Sequence, residues 1–422
     1  MKHKTQFKCV SAATSDRFYK AGCLDFVEAV HRDHIYPVMY CHMKVTGKFE
    51  IEKLKEAVRA SGKYIPEIFC AYDFRHHRFI RQGFTLADMI QAGDTDFENL
   101  PIWDLSRQPQ LKITVGCGKG ETKLILGMSH ILSDGAGFLQ YLYLLASLYN
   151  GTLMEDGLKN QKNIACLLKE IHVQRRTEQT RYGRAKPAKP LLPCGMGTKC
   201  YLVKRVIPSE TFQKLRQKAK QHQVTMNDVF MTAYARVIAR MQDREKVSLS
   251  CPADLRRFRD AKDHKLTVAN MTGLYRNIVI ECDPKHDFTS TVRKVHIEME
   301  LQKSRHRCFE KILLLDKIYS VIPHSILGKM VWASYRPLSV SYTNIGVIQH
   351  ENLTFNDCDI NDCMITGSYR YSPDFQLTVS TFRDVCTLNC TLIGDTETKI
   401  IAEQILDQVV WELMGWVFPL LK

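Results

Sequence analysis

Two rhythms of apolar and polar positions trade places along this chain of 422 residues. In the first half, Tyr36 to Val45 alternates with the period of a strand and stops at Gly47, and Pro66 opens a second extended run over Ile68 to Tyr72. Leu111 to Val115 is another strand, joined by the Gly116–Gly120 turn to the apolar run Lys123 to Met128. Such a run, with no polar face, predicts a strand covered on both sides, and the glycine-rich turn predicts a hairpin rather than a phosphate loop, since no helix follows it. Between these lie helical spacings. Ile51, Leu54 and Val58 mark a helix over Phe49 to Ala60, ended by Gly62. Phe138, Leu139, Leu142, Leu145, Ala146 and Tyr149 mark another. Residues 1 to 30 read as irregular, with Leu24, Phe26 and Val27 as their apolar cluster.

From Gln174 to Pro193 arginines, lysines and prolines replace the periodic pattern, as a linker would. The rhythms then resume: a strand from Tyr201 to Ile207, a helix capped by Ser209, and a helix opened by Thr225-Met226-Asn227-Asp228. Strands follow at Val247 to Pro252 and Ile278 to Ile280, then a polar helix from Thr289 to Lys303. Ile312 to Met330 is an apolar helix interrupted by Pro323 and Gly328. Leu338 to Ser341 is a strand running on to Gly346. Gln376 to Thr381 and Thr387 to Leu392 form a pair turning at Arg383-Asp384, and a last helix spans Glu397 to Leu413. The interleaving predicts an α/β fold in two lobes: residues 1–180, a linker over 181–200, and 201–422.

Composition narrows the class. Hydrophobic residues make up 45% and charged ones 25%, ordinary for a globular protein. The fifteen cysteines are odd in number, scattered, and contain no C-x-x-C pair, so free thiols in a reducing cytoplasm are expected rather than disulfides or a metal site. No apolar leader and no stretch of membrane-spanning length is visible; Val409 to Leu421 is apolar but carries Glu412 and Pro419 and reads as a docking helix. A formal charge of +14 favours anionic partners, and without a nucleic-acid motif nucleic-acid binding is not expected. His76 and His77 read as an exposed polar turn.

One spacing carries chemistry. His130, Asp134 and Gly135, as H-x-x-x-D-G, stand between the apolar strand and the amphipathic helix, where α/β sheets bind ligands. Imidazole accepts protons near neutral pH, and Asp134 occupies a helix-capping position where a carboxylate is favoured. A buried carboxylate needs a cation, so a partner for Asp134 is expected.

The ordered landmarks resemble those of the thioester-dependent acyltransferases related to chloramphenicol acetyltransferase, which include nonribosomal peptide condensation domains and alcohol acetyltransferases. They are Asp104-Leu105 with Pro109 to Lys112, Ser129 to Gly137, Val224 to Val229, Ala253 to Arg256, Ala269-Asn270 and Thr343 to Gly346, in order over nearly the whole chain. The resemblance implies two lobes with mixed sheets, arranged as a V around a central tunnel. It implies His130 as general base, Asp134 paired with Arg256 as structural support, Gly135 N–H as an oxyanion donor, and Ser341 and Asn344 as tunnel-lining candidates. It further implies acyl-CoA or acyl-phosphopantetheine as donor substrate with no bound cofactor or metal, a small-molecule hydroxyl or amine acceptor, and an acyl or peptidyl carrier protein as a candidate partner. A monomer acting in secondary metabolism is expected, since tandem lobes supply the interface that trimeric relatives build between subunits. The chain departs from two subgroups: Ser129 stands where condensation domains have a second histidine, and the plant D-F-G-W-G motif is absent. The alternative is a non-catalytic relative that recruits a carrier or partner protein.

Overall fold

The computed structural model describes residues 17–96, 100, 102–118, 120–152, 157–168, 171, 185–195, 197–259, 266–283 and 285–419. Arg175, Arg176, Arg181 and Arg184 of the basic linker lie outside them.

The fold is α/β, with two principal sheets. The first has five strands in the order Cys358–Ile365, Val38–Gly47, Glu121–Ser129, Leu111–Cys117 and Ile90–Ala92. Leu111–Cys117 and Glu121–Ser129 form the expected antiparallel hairpin. Leu124, Ile125, Leu126 and Met128 are all buried, so both faces of that central strand are covered. The helix Gly135–Tyr149 lies against the helix Ile51–Ser61. Its own residues are buried almost all round, from Phe138 and Leu139 to Tyr141, Leu144 and Leu145.

The second sheet runs Val340–Ile348, Phe375–Phe382, Val385–Gly394, Tyr369–Tyr371 and Ile35–Tyr36, with Lys199–Ile207 also paired to Val385–Gly394. Helices Ser209–Gln221, Met226–Met241, Phe288–Ser304 and Thr396–Val417 share its hydrophobic core, while a separate cluster fills the first lobe. An antiparallel ribbon, Lys246–Asp254 with Thr272–Glu281, accompanies the second lobe.

Several elements differ from their sequence patterns. Residues 18–20 form a strand and Cys23–Val30 a helix, because Leu24, Phe26 and Val27 find partners in the helices Glu310–Tyr319 and His324–Ser334. Pro66–Phe69 is a single turn of 3-10 helix, and only Cys70–Asp73 is strand. The apolar stretch is split, as expected, into Glu310–Tyr319 and His324–Ser334 with Pro323 at the N-cap of the second, but Gly328 sits inside that helix without breaking it. Ser209 is the first residue of its helix, and Pro208 holds the capping position without a side-chain hydrogen bond.

The two lobes exchange strands across the expected division at 181–200. Cys358–Ile365 pairs antiparallel with Val38–Gly47 of the first sheet, and Thr366, Gly367 and Ser368 then carry the chain into Tyr369–Tyr371 of the second. Ile35–Tyr36 makes the opposite passage, pairing with Tyr369 and Arg370 before Pro37 breaks the strand. Thr366 N–H donates to Tyr40 O at 2.9 Å, and Thr366 Oγ1 accepts from Tyr40 N at 3.0 Å, which pins the crossing.

Candidate functional site

Glu121–Ser129 ends beside Pro37, and that ending sets the position of His130. Val38 is the register partner of Ser129, and His130 N–H donates to Pro37 O at 2.8 Å. Asn270 Nδ2 then clamps the turn, donating to His130 O at 2.9 Å and Ile131 O at 3.0 Å, and to Asp25 Oδ1 at 2.9 Å. With its backbone tied on both sides, His130 keeps its side chain 21% exposed. The ring lines a cavity of about 430 Å³ whose wall takes residues from both lobes, among them Gly135, Ser341 and Thr343. Nδ1 is buried without a hydrogen-bond partner and lies 3.8 Å from Glu28 Oε2.

Asp134 also lines this cavity, but its carboxylate is taken up by donors of the protein. It caps the helix by accepting from Gly137 N at 2.8 Å, and is 2% exposed. Arg256 meets it bidentately at 2.9 and 3.1 Å, and Met271 N and Thr272 Oγ1 donate at 2.7 and 2.8 Å. Burial alone would raise the carboxyl's pKa, but the Arg256 charge and these donors together hold it below the ordinary value. Arg256 is fixed in turn by Asp254 at 2.9 Å and by the carbonyls of Thr267 and Ala269. Burial would lower its pKa, and the two carboxylates raise it instead. The pair therefore joins the motif turn to the ribbon of the second lobe.

Two glycines follow because backbone and side chains crowd them. A Cβ on Gly137 would collide with Ser133 Oγ and stand 2.9 Å from Ala269 O, whereas one on Gly135 would meet only Ile345 Cδ1 at 2.7 Å. Gly135 N–H, at the first helical position, has no acceptor within its helix.

The remaining candidates separate. Ser341 lines the cavity and its hydroxyl donates to Phe375 O at 3.5 Å. Asn344 does not line it; its Oδ1 accepts from Gly346 N at 2.9 Å, beside the register shift of its strand. Thr225 and Asp228 form a capping box, and Asn227 Oδ1 accepts from Tyr342 O–H at 2.9 Å. His76 is exposed beside Asp73, but His77 is not the exposed turn residue its neighbours imply. Its ring stands 4.4 Å from that of Phe26, and burial lowers its pKa to about 4. Glu28, His31 and Arg370, all on the cavity wall, were not legible as site residues; nothing local distinguishes a glutamate in an eight-residue helix, or the histidine that follows its end, from a surface residue. Among the described residues no group of three or more His, Cys, Asp or Glu side chains is placed to hold a metal, and the thirteen described cysteines are free thiols. No helix there is long and apolar enough to cross a membrane.

No protein-family model and no curated protein sequence matches the chain. Solved structures do. The chain is similar to trichothecene 15-O-acetyltransferase from Fusarium sporotrichioides, with a TM-score of 0.67 at 12% identity over 96% of each chain. It is similar to polyketide synthase associated protein 5 from Mycobacterium tuberculosis (0.66, 12%, covering 93% of this chain and 96% of that one). The first condensation domain of the calcium-dependent antibiotic synthetase gives 0.65 at 13% identity over 96% and 98%. At such identities the likeness establishes the fold of condensation domains and acetyltransferases, and leaves the chemistry to be argued from the site.

Proposed function

We propose that this chain, built on the fold of acyl-transferring and condensation proteins, moves an acyl group from a thioester to a hydroxyl or amine. The observation that supports it most is His130: a histidine anchored through its backbone, with its ring in the wall of a cavity shared by both lobes. Nδ1 faces Glu28, so Nε2 is the nitrogen on the substrate side. It takes the proton of the acceptor O–H or N–H as the acceptor attacks the thioester carbonyl carbon. The oxyanion that develops lies within reach of the Gly135 N–H at the positive end of the helix, where a positioned donor contributes about 3 to 4 kcal/mol. Collapse breaks the C–S bond, and the departing thiolate takes the proton back from the imidazolium, leaving an ester or amide and a free thiol. Glu28 Oε2, 3.8 Å from Nδ1, stands beside the ring on the side away from the substrate.

The donor in this reading is acyl-CoA or an acyl group on the phosphopantetheine of a carrier protein. Arg276, Lys311 and Arg336 on the cavity wall suit a phosphate-bearing donor. The likeness to trichothecene 15-O-acetyltransferase supports acetyl transfer, and the likeness to a synthetase condensation domain supports a condensation. Incubation with a panel of acyl-CoAs and acyl-carrier proteins against alcohols and amines tests this. Ester or amide products should appear by mass spectrometry in step with thiol release, and thiol release independent of acceptor would contradict it.

A further inference from the structure

The segment that crosses between the sheets delivers a second charged group to the same cavity. Arg370, on the short strand Tyr369–Tyr371, lines the wall and is 8% exposed. Its Nε and Nη1 are buried and have no hydrogen-bond partner, and among the described residues no carboxylate is within ion-pair distance. Asp374 and Glu28 temper its charge only at longer range, and Tyr234 and His31 complete its titratable surroundings. Burial pulls its pKa below the ordinary guanidinium value.

The wall around it is polar and equally unsatisfied. Ser368 Oγ and Gln376 Oε1 line the cavity, are buried, and have no partner in the protein. Gly367 leaves room for Gln376 and Thr378, since a Cβ there would stand 2.5 Å from Gln376 Oε1 and 2.8 Å from Thr378 Oγ1. An unpaired interior cation and an unpaired Ser368 hydroxyl are costly in the empty protein and favourable once an anion completes them. Glu28, 3.8 Å from His130, lines the same cavity as Arg370 and acts on its charge. A planar guanidinium presents parallel N–H groups that match a carboxylate, and one cation tempered by Glu28 suits a single negative charge better than a phosphate dianion.

We propose that Arg370, with Ser368, binds a carboxylate-bearing substrate that reacts beside His130. The proposal rests on the reading of His130 as the site of transfer. The carboxylate belongs either to the acceptor, a hydroxy or amino acid, or to the acyl group of a dicarboxylic thioester.

Two kinetic arms and one binding arm test it, using Arg370→Met. In the first, acetyl-CoA is offered with aliphatic hydroxy acids and hydroxybenzoates, each beside its methyl ester. In the second, malonyl- and succinyl-CoA are compared with acetyl-CoA against those methyl esters. The variant should raise KM about 10- to 100-fold for the carboxylate member of one arm, leaving its neutral counterpart within about twofold. The arm affected identifies the source. The binding arm follows thermal unfolding of the His130→Ala protein with the same hydroxy acids and with malonyl-CoA. Stabilisation by a carboxylate probe, lost on adding Arg370→Met, supports the site even if no transfer occurs, and in that case only the His130 reading fails. Ligand-free Arg370→Met should melt at or above the parent, since it removes an unpaired buried charge. Equal loss of charged and neutral substrates, no carboxylate probe stabilising the protein, or a variant that melts well below the parent would each overturn the proposal.

Discussion

At the scale of single residues, Asp134 is held by five donors and is thereby kept out of the chemistry. Its removal leaves Arg256 charged and buried. Asp134→Ala should lose about 3 to 5 kcal/mol of unfolding free energy in urea titrations, and Arg256→Ala a similar amount. The pH response divides between two aspartates. Asp134 has a depressed folded pKa, so its contribution is present above the unfolded value and lost as pH falls through the folded one. Asp25 is the reverse: burial raises it from 3.8 to about 6, so its contribution is present below 3.8 and lost as pH rises through about 6. Asp25→Asn should therefore flatten the stability profile across that window, and an unchanged slope would contradict the assignment. The glycines also differ. Gly137→Ala should destabilise by about 1 to 3 kcal/mol, because backbone at Ala269 blocks the new methyl. Gly135→Ala should cost less, because Ile345 Cδ1 can turn aside. Thermal melts of the two variants check the order. The H-x-x-x-D-G spacing made these residues legible. Glu28 and Arg370 were not, since only the folded chain brings positions 28, 130 and 370 to one wall.

Among the elements, those with complete local signals were readable. The apolar strand before His130, the helix after Asp134, and the Arg383-Asp384 turn, both of whose residues have positive φ, coincide with their patterns. Short strands at 18–20, 78–81, 90–92 and 369–371 were not readable, because three or four residues carry no period and are ordered by their neighbours. The last helix holds a further device. Glu412, 1% exposed, accepts from Arg236 Nε at 2.9 Å and from Arg240, both on Met226–Met241, and so fastens two helices of the second lobe. Glu412→Ala should lower stability by about 3 to 5 kcal/mol by leaving Arg236 unpaired, and a loss under 1 kcal/mol in denaturant titration would show that water reaches the pair.

For the molecule as a whole, the alternation of strands and helices announced two lobes but not their exchange of strands. Cys358–Ile365 lies far along the chain, yet it closes the edge of the first sheet at Val38–Gly47. A protein of residues 1–195 would leave that edge bare and should give no cooperative unfolding transition on its own. Adding residues 196–422 in trans should restore one, and a cooperative transition for the first piece alone would contradict the exchange.

The most direct measurement compares thiol release and product formation by the parent and by His130→Ala, with matched circular dichroism showing both folded. The expected result is a fall of about 10²- to 10⁴-fold in acceptor-dependent transfer, with binding of the thioester retained. Transfer persisting within a few-fold of the parent would contradict the assignment of His130 as the base.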